Sequence, residues 1–195
     1  MNVQYICSME TSEQNSSKKE EIIKKAFSIF VNKGYYETSI SDLAEACSVP
    51  NALFYYYFKN KEGLMVEVLK YTQTYSETRF AKLIEEPNLN PKQKLEALAA
   101  FFEKYYSAYQ GGCIMGNTLG TAFTEEQFLP IIKRFFEVWI NALQNLFMVQ
   151  YQPEKAQELA EATIQDIEGG ILLMKLYRDK KYLDKALKRM TKLID

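Results

Sequence analysis

The sequence predicts an all-α fold, with an N-terminal three-helix helix-turn-helix head followed by a C-terminal helical bundle, about nine helices in all. Three observations carry that expectation. Eight Gly and five Pro among 195 residues are few and favour long regular elements. Apolar residues recur at helical spacing, and no stretch alternates as a strand would. Residues suited to capping or breaking a helix stand at the ends of these runs. The apolar share of 47% and charged share of 25% are those of a globular chain rather than a disordered one.

Ser17-Lys-Lys-Glu20 has the spacing of a capping box, in which side chains satisfy the free N–H groups of a helix start. Ile22, Ile23, Ala26, Phe27 and Phe30 then follow at helical spacing, and Gly34 suits the position past the end. Ser39 caps a short second helix with Ile40, Leu43 and Cys47 on one face. Pro50 is placed to open a third, over about 50–56, because its missing N–H is not needed there. Asn60 caps a long fourth helix to about Glu85, ending before Pro87. A fifth runs from Asn90-Pro91 through Tyr109 and breaks at Gly111-Gly112, and a short sixth covers about 114–122. Thr124-Glu-Glu-Gln127 reads as a second capping box opening a helix to about Gln150. Pro153 starts the eighth, to about Arg178, and an amphipathic ninth spans about 180–194.

The composition also excludes. With no His, catalysis by Ser-His-Asp or Cys-His sets, His-ligated metals and His-based pH switching all fall away. Cys7, Cys47 and Cys113 form neither a zinc pattern nor a disulfide framework, which suits a reducing cytoplasm. There is no Gly-rich phosphate loop and no clustered carboxylate set, so neither an enzyme nor a cofactor is expected. No apolar run reaches the roughly 18 residues of a membrane span, and residues 1–16 read as a flexible extension rather than a signal peptide. The net charge is −1. A basic cluster (Lys18, Lys19, Lys24, Lys25 and Lys33) nevertheless gathers on the first helix, either as a DNA-facing surface or as a solvated one.

Function concentrates in residues 22–58. Two short helices joined by a tight turn have the lengths of a helix-turn-helix, whose second helix enters the major groove. That second helix reads Asn51-Ala-Leu-Phe-Tyr-Tyr-Tyr-Phe58, and one helix face cannot bury five aromatic rings. Tyr hydroxyls donate to phosphates while their rings pack. The Asn51 amide suits a base edge, Ala52 and Leu53 suit thymine methyls, and Lys61 suits a phosphate at the next helix start.

The pattern Ile23-x2-Ala26-x3-Phe30-x3-Gly34-Tyr35-x2-Thr38-Ser39-Ile40-x-Asp42-Leu43-Ala44-x4-Val49-x5-Tyr55-x2-Phe58-x2-Lys61-Glu62-x-Leu64 resembles the N-terminal domain of the tetracycline-repressor (TetR) family of bacterial regulators. The resemblance implies a homodimeric repressor released from a pseudo-palindromic double-stranded DNA operator by a small, largely apolar or aromatic effector. It divides the chain into a DNA-binding domain over 17–63 and an effector-binding and dimerisation domain over 64–195. It sets Asn51, Ala52 and Leu53 at base-contacting positions, and Ser39, Ser41, Tyr55, Tyr56, Tyr57 and Lys61 at backbone-contacting ones. Ser48 stands where the family usually has a turn Gly, Leu53 where Thr or Ser is frequent, and Tyr57 where His is frequent. The alternative is a helical protein-interaction module on the same fold that no longer binds DNA, since the head lacks Arg.

The C-terminal half carries no comparable signature. Its aromatic content suits a small-molecule cavity, with Tyr105, Tyr109, Cys113, Asn117, Phe123, Trp139, Glu168 and Met174 as candidates against ordinary core packing. Asn117 leads, as a polar side chain in an apolar stretch. Cys113 is also weighed as a redox or electrophile sensor. Gly169-Gly170 would let helices approach closely. The resemblance implies a four-helix dimer interface including Ile164, Ile167, Ile171, Leu172, Leu183, Leu187 and Met190, with an intramolecular core as the other reading.

Overall fold

The computed structural model describes residues 17–108, 111–121 and 126–195. Among them are nine helices and no strand: α1 Lys18–Lys33, α2 Ile40–Ala46, α3 Asn51–Phe58, α4 Lys61–Glu85, α5 Pro91–Ala108, α6 Ile114–Thr121, α7 Leu129–Phe147, α8 Pro153–Tyr177 and α9 Lys181–Met190. None is long and apolar enough to cross a membrane. The extension 1–16, Tyr109, Phe123 and the Thr124-Glu125 half of the second capping box lie outside the described residues.

Local chemistry sets the helix ends. The Ser17 hydroxyl accepts the Glu20 N–H, and Gly34 closes α1 with φ 94°. Ser39 and Asp42 form a reciprocal capping box on α2, and Asn60 caps α4 through the Gly63 N–H at 2.7 Å. Pro50 is the residue before α3 rather than its first turn, and α3 runs two residues past the expected 56. The seventh helix begins at Leu129, not at Thr124. Pro130 is the reason: deeper inside a helix its ring would clash with the preceding turn, so it must sit at the start. The last helix stops at Met190, four residues short of the expectation.

The head is a small aromatic core. Ile22, Phe27 and Phe30 of α1 close against Leu43, Cys47, Phe54 and Phe58, all buried. The long α4 leaves the head and becomes a wall of the bundle, packing on α1 and α3 at one end and on α5 and α7 along its length. The core of α7, α8 and α9 encloses the other side. Gly170 permits the α8–α9 approach, because a Cβ there would stand 3.1 Å from the Tyr182 carbonyl oxygen, whereas Gly169 faces open space.

The residues read as dimer-facing are mostly covered by their own chain. Ile164, Ile167, Ile171, Leu183, Leu187 and Met190 are buried within one chain, and of the seven only Leu172 is open, at 65% exposure. An amphipathic stripe shows that a face is apolar, not whether its cover comes from the same chain or a second one. The face left uncovered is Leu172, Leu173, Leu176 and Tyr177.

Candidate DNA-recognition head and effector cavity

Helix α3 presents two faces. Phe54 and Phe58 point into the core, their rings 5.2 Å apart. Asn51, Ala52, Tyr55 and Tyr56 are exposed, Tyr56 by 79%, while Leu53 and Tyr57 are half-buried at the margin. Eight residues carrying five aromatic rings thus resolve into two inward anchors and an outward aromatic surface. The turn before α3 places Ser48 at φ 54°, a left-handed conformation that costs a non-glycine residue energy. The Asn51 amide donates to the Ser41 hydroxyl at 3.4 Å, so the α2 and α3 starts meet on one surface. Ser39 is engaged as the α2 cap.

Lys61 is placed differently from a free phosphate ligand. Its ammonium donates to the carbonyl oxygens of Tyr35 and Thr38 at 3.0 and 3.1 Å and lies 4.4 Å from the Tyr35 ring centre. Two of its three N–H bonds therefore hold the α1–α2 loop to the start of α4. That brace also positions Tyr36, an exposed aromatic beside α2 that sequence reasoning missed. The basic stripe of α1 is partly neutralised: Lys18 pairs with Glu21, Lys24 with Glu20 and Lys19 with Glu67 of α4, while Lys25 donates to the Ala46 carbonyl oxygen.

In the bundle, Trp139 is the hub. Its ring lies 4.5 Å from Phe135, 4.6 Å from Phe102 and 5.3 Å from Phe80. Beside it is a cavity of about 10 Å³, room for about one water-sized group, walled also by Thr72, Ser76, Phe101, Tyr105 and Cys113. Behind Cys113 stands a buried polar relay. The Tyr106 hydroxyl donates to Cys113 Sγ, which also accepts the Gly116 N–H, and the Cys113 thiol donates to the Glu168 carboxyl. Burial pushes the Glu168 carboxyl up to about 7. Burial, with the neighbouring carboxyl second, pushes the Cys113 thiol upward as well, which keeps it neutral and suppresses the thiolate that redox or electrophile sensing requires.

Head and bundle meet through rings and through backbone. The Phe27 ring of α1 lies 6.3 Å from that of Tyr105 in the cavity wall, and Tyr35 lies 5.9 Å from Phe128. A Cβ on Gly111, in the turn before α6, would stand 1.9 Å from the Val31 carbonyl oxygen of α1, so only glycine fits. Asn117 clamps that turn: its amide donates to the Gly111 carbonyl oxygen at 2.8 Å and its own oxygen accepts Lys175 Nζ at 3.5 Å.

Residues 22–68 match the family model described as bacterial regulatory proteins, tetR family, and residues 91–189 match the C-terminal domain of transcriptional regulators of the LmrA/YxaF-like type. The chain belongs to the TetR family. It is similar to the HTH-type transcriptional repressor DhaR of Mycobacterium sp. (strain GP1), at 23% identity over 87% of this chain and 88% of that protein. It is likewise similar to the HTH-type transcriptional regulator YxaF of Bacillus subtilis, at 26% identity over 83% and 87%. A TetR transcriptional regulator from Legionella pneumophila superposes with a TM-score of 0.84 at 25% identity, covering 93% of this chain and 100% of that one. The regulatory protein TetR from Rhodobacter sphaeroides superposes with 0.75 at 23%, covering 91% and 99%. This TetR-family chain is accordingly a DNA-binding transcriptional regulator.

Of the effector candidates in this TetR-family bundle, Tyr105, Cys113 and Trp139 come together in the cavity wall, with Glu168 one hydrogen bond behind. Asn117 is the clamp of the Gly111 turn rather than a wall residue, and Met174 is buried on α8 away from the cavity. Sequence reasoning missed Thr72 and Ser76. Their signal was two small polar residues one turn apart on the interior stripe of α4.

Proposed function

We propose that the protein is a homodimeric repressor that releases a pseudo-palindromic operator when a small molecule enters the bundle. The DNA-binding domain is the 17–63 head, and the effector and dimerisation domain is 64–195. The observation that carries this reading is the outward surface of α3, where Asn51, Ala52, Tyr55 and Tyr56 stand exposed on a helix anchored from behind by Phe54 and Phe58. Asn51, Ala52 and Leu53 read base edges. Ser39, Ser41, Tyr55, Tyr56 and Tyr57 meet the phosphate backbone, and Lys61 acts mainly by holding the loop beside them.

A second copy covers the apolar face of α8. Support comes from Leu172, Leu173, Leu176 and Tyr177 clustering there in the open, next to the bare Gly169. Two heads in a symmetric dimer address half-sites one DNA turn apart, about 34–36 Å, or somewhat further. The effector favours a dimer whose heads are spaced wrongly, and its differential affinity for the two forms sets how far DNA binding falls. Thr72 and Ser76 put α4 in the cavity wall, Tyr105 of that wall packs on Phe27 of α1, and Gly111 sets the α5–α6 turn against α1, so three connections lead from the bundle to the head.

The test is fluorescence anisotropy on DNA from upstream of the protein's own gene, against scrambled DNA, over a salt series. Selective binding that weakens steeply with salt is expected. Asn51→Ala should relax the preference at one base pair, costing about 1–3 kcal/mol there, with other positions unchanged. An unaltered ranking of operator variants would remove Asn51 from base reading. Weak, equal binding to every DNA tried would favour the protein-interaction module.

A further inference from the structure

Two buried polar side-chain atoms, Trp139 Nε1 and Glu168 Oε1, have no hydrogen-bond partner among the described residues. The first lies in the cavity wall and the second one residue behind it, beside Cys113 and Gly116. Trp139, only 3% exposed, forms part of the cavity wall, and Glu168 stands behind Cys113, which lines the same cavity. An indole N–H can only donate, and the Glu168 carboxyl, once ionised above about pH 7, can only accept. A buried group left unpaired costs the protein its full desolvation penalty, which a ligand supplying the missing partner would recover. The Cys113 thiol is a weak donor, easily outcompeted by an N–H or O–H. Beside Thr72, Ser76, Cys113 and Ile114 the wall is aromatic: Phe101 and Tyr105 stack at 5.9 Å and 28°, and Phe135 tilts against Trp139 at 4.5 Å.

We propose that the effector is a planar aromatic molecule bearing a hydrogen-bond acceptor, such as a carbonyl, for Trp139 and an N–H or O–H donor for Glu168. The inference rests on the ligand-responsive reading above and specifies its chemistry. Both polar ends are required, because each orphaned atom asks for the opposite kind of partner. A molecule larger than the free volume must part the walls, and the walls include α4.

The chain has a single Trp, so its indole N–H gives one resonance in a nitrogen-15 NMR spectrum and reports directly on Trp139. The probes are toluene, acetophenone, aniline and 4-aminoacetophenone. Acetophenone and 4-aminoacetophenone should move that resonance downfield in a saturable way, as an N–H gaining an acceptor does, whereas toluene and aniline should not. From the worth of two hydrogen bonds, 4-aminoacetophenone should bind at least about tenfold tighter than toluene. Glu168→Gln should reduce the advantage of the amine-bearing probes several-fold and leave acetophenone, which has no N–H or O–H, unaffected. Equal binding of toluene and 4-aminoacetophenone, no saturable shift with any probe, or an intact amine preference in Glu168→Gln would overturn the proposal. Anisotropy with operator DNA separates the two levels. Release by molecules that show no such polar preference sinks this inference and leaves the ligand-responsive reading standing. The polar preference in a protein whose DNA affinity no ligand alters does the reverse.

Discussion

The head and the bundle handle their polar atoms in opposite ways. In the head, side chains that could have been left open are committed: Ser39 and Asp42 cap each other's helix end, Lys61 spans two carbonyl oxygens, and Asn51 meets Ser41. What remains exposed there is a firmly braced aromatic surface. In the bundle, an indole N–H in the wall of a cavity with room for about one water, and a Glu168 oxygen behind that wall, have no partner among the described residues. The head's outward surface is thus held in place by its own polar side chains, whereas the bundle interior keeps polar atoms unsatisfied.

That contrast can be broken at several points, from the largest effect down. The carboxyl of Glu168 sits near 7 when folded against an ordinary 4.5. A raised folded value means that the folded state holds the proton more tightly, so stability is fully present below about pH 4.5 and is lost as pH rises through 7. The difference amounts to on the order of 3 kcal/mol. Its titratable neighbours, Cys113 and Tyr106, are themselves pushed upward and stay neutral across this window. Urea unfolding at pH 5 and pH 8 should show the fall in the wild type and a flatter profile in Glu168→Gln. Parallel profiles would remove the unpaired carboxylate from the comparison.

Gly111→Ala forces a Cβ onto the Val31 carbonyl oxygen, a backbone atom that cannot rotate away. A cost of about 1–3 kcal/mol follows, with Tm lower by about 2–12 °C. DNA affinity should fall with it, since α1 shifts under the head. Lys61→Ala tests whether the head is braced as described. Losing two charge-assisted bonds at a half-buried site should cost about 1–2 kcal/mol, lowering Tm by about 2–8 °C, while the salt slope of DNA binding changes by less than about 1. A full unit of slope would mean that the third N–H carries a phosphate after all. Tyr56→Phe is the gentlest. Stability should hold within about 0.5 kcal/mol, and operator affinity should drop about two- to tenfold through the lost hydroxyl.

The head was legible because its determinants are local. Caps, a turn and an octapeptide with five aromatic rings all lie between Ser17 and Asn60, and too many rings on one short helix implied an outward face. The bundle was legible only as helices. Whether Ile167 or Leu187 faces its own chain or another depends on how α8 and α9 roll against each other, which no single stripe encodes. Asn117 stood out as polar in an apolar stretch, and the structure gives it the Gly111 carbonyl oxygen, six residues earlier, and Lys175 as partners. Lys61 carried the charge of a phosphate ligand, and its placement was decided by carbonyl oxygens of Tyr35 and Thr38, far away in the chain. The start of α7 was misjudged because the Thr124 signal outweighed Pro130, whose steric demand decided the boundary.

The junction between Gly111 and Val31 has one more consequence. It is a contact of main chain against main chain, so no side-chain rotamer on either partner can absorb a displacement. Such a joint behaves as a stiff strut: a small movement of the turn must be passed on to α1 undiminished. It does not depend on which side chains line the cavity. Phe101 could be exchanged while the strut keeps its length, whereas Tyr105, its ring 6.3 Å from that of Phe27 in α1, ties the wall to the head directly.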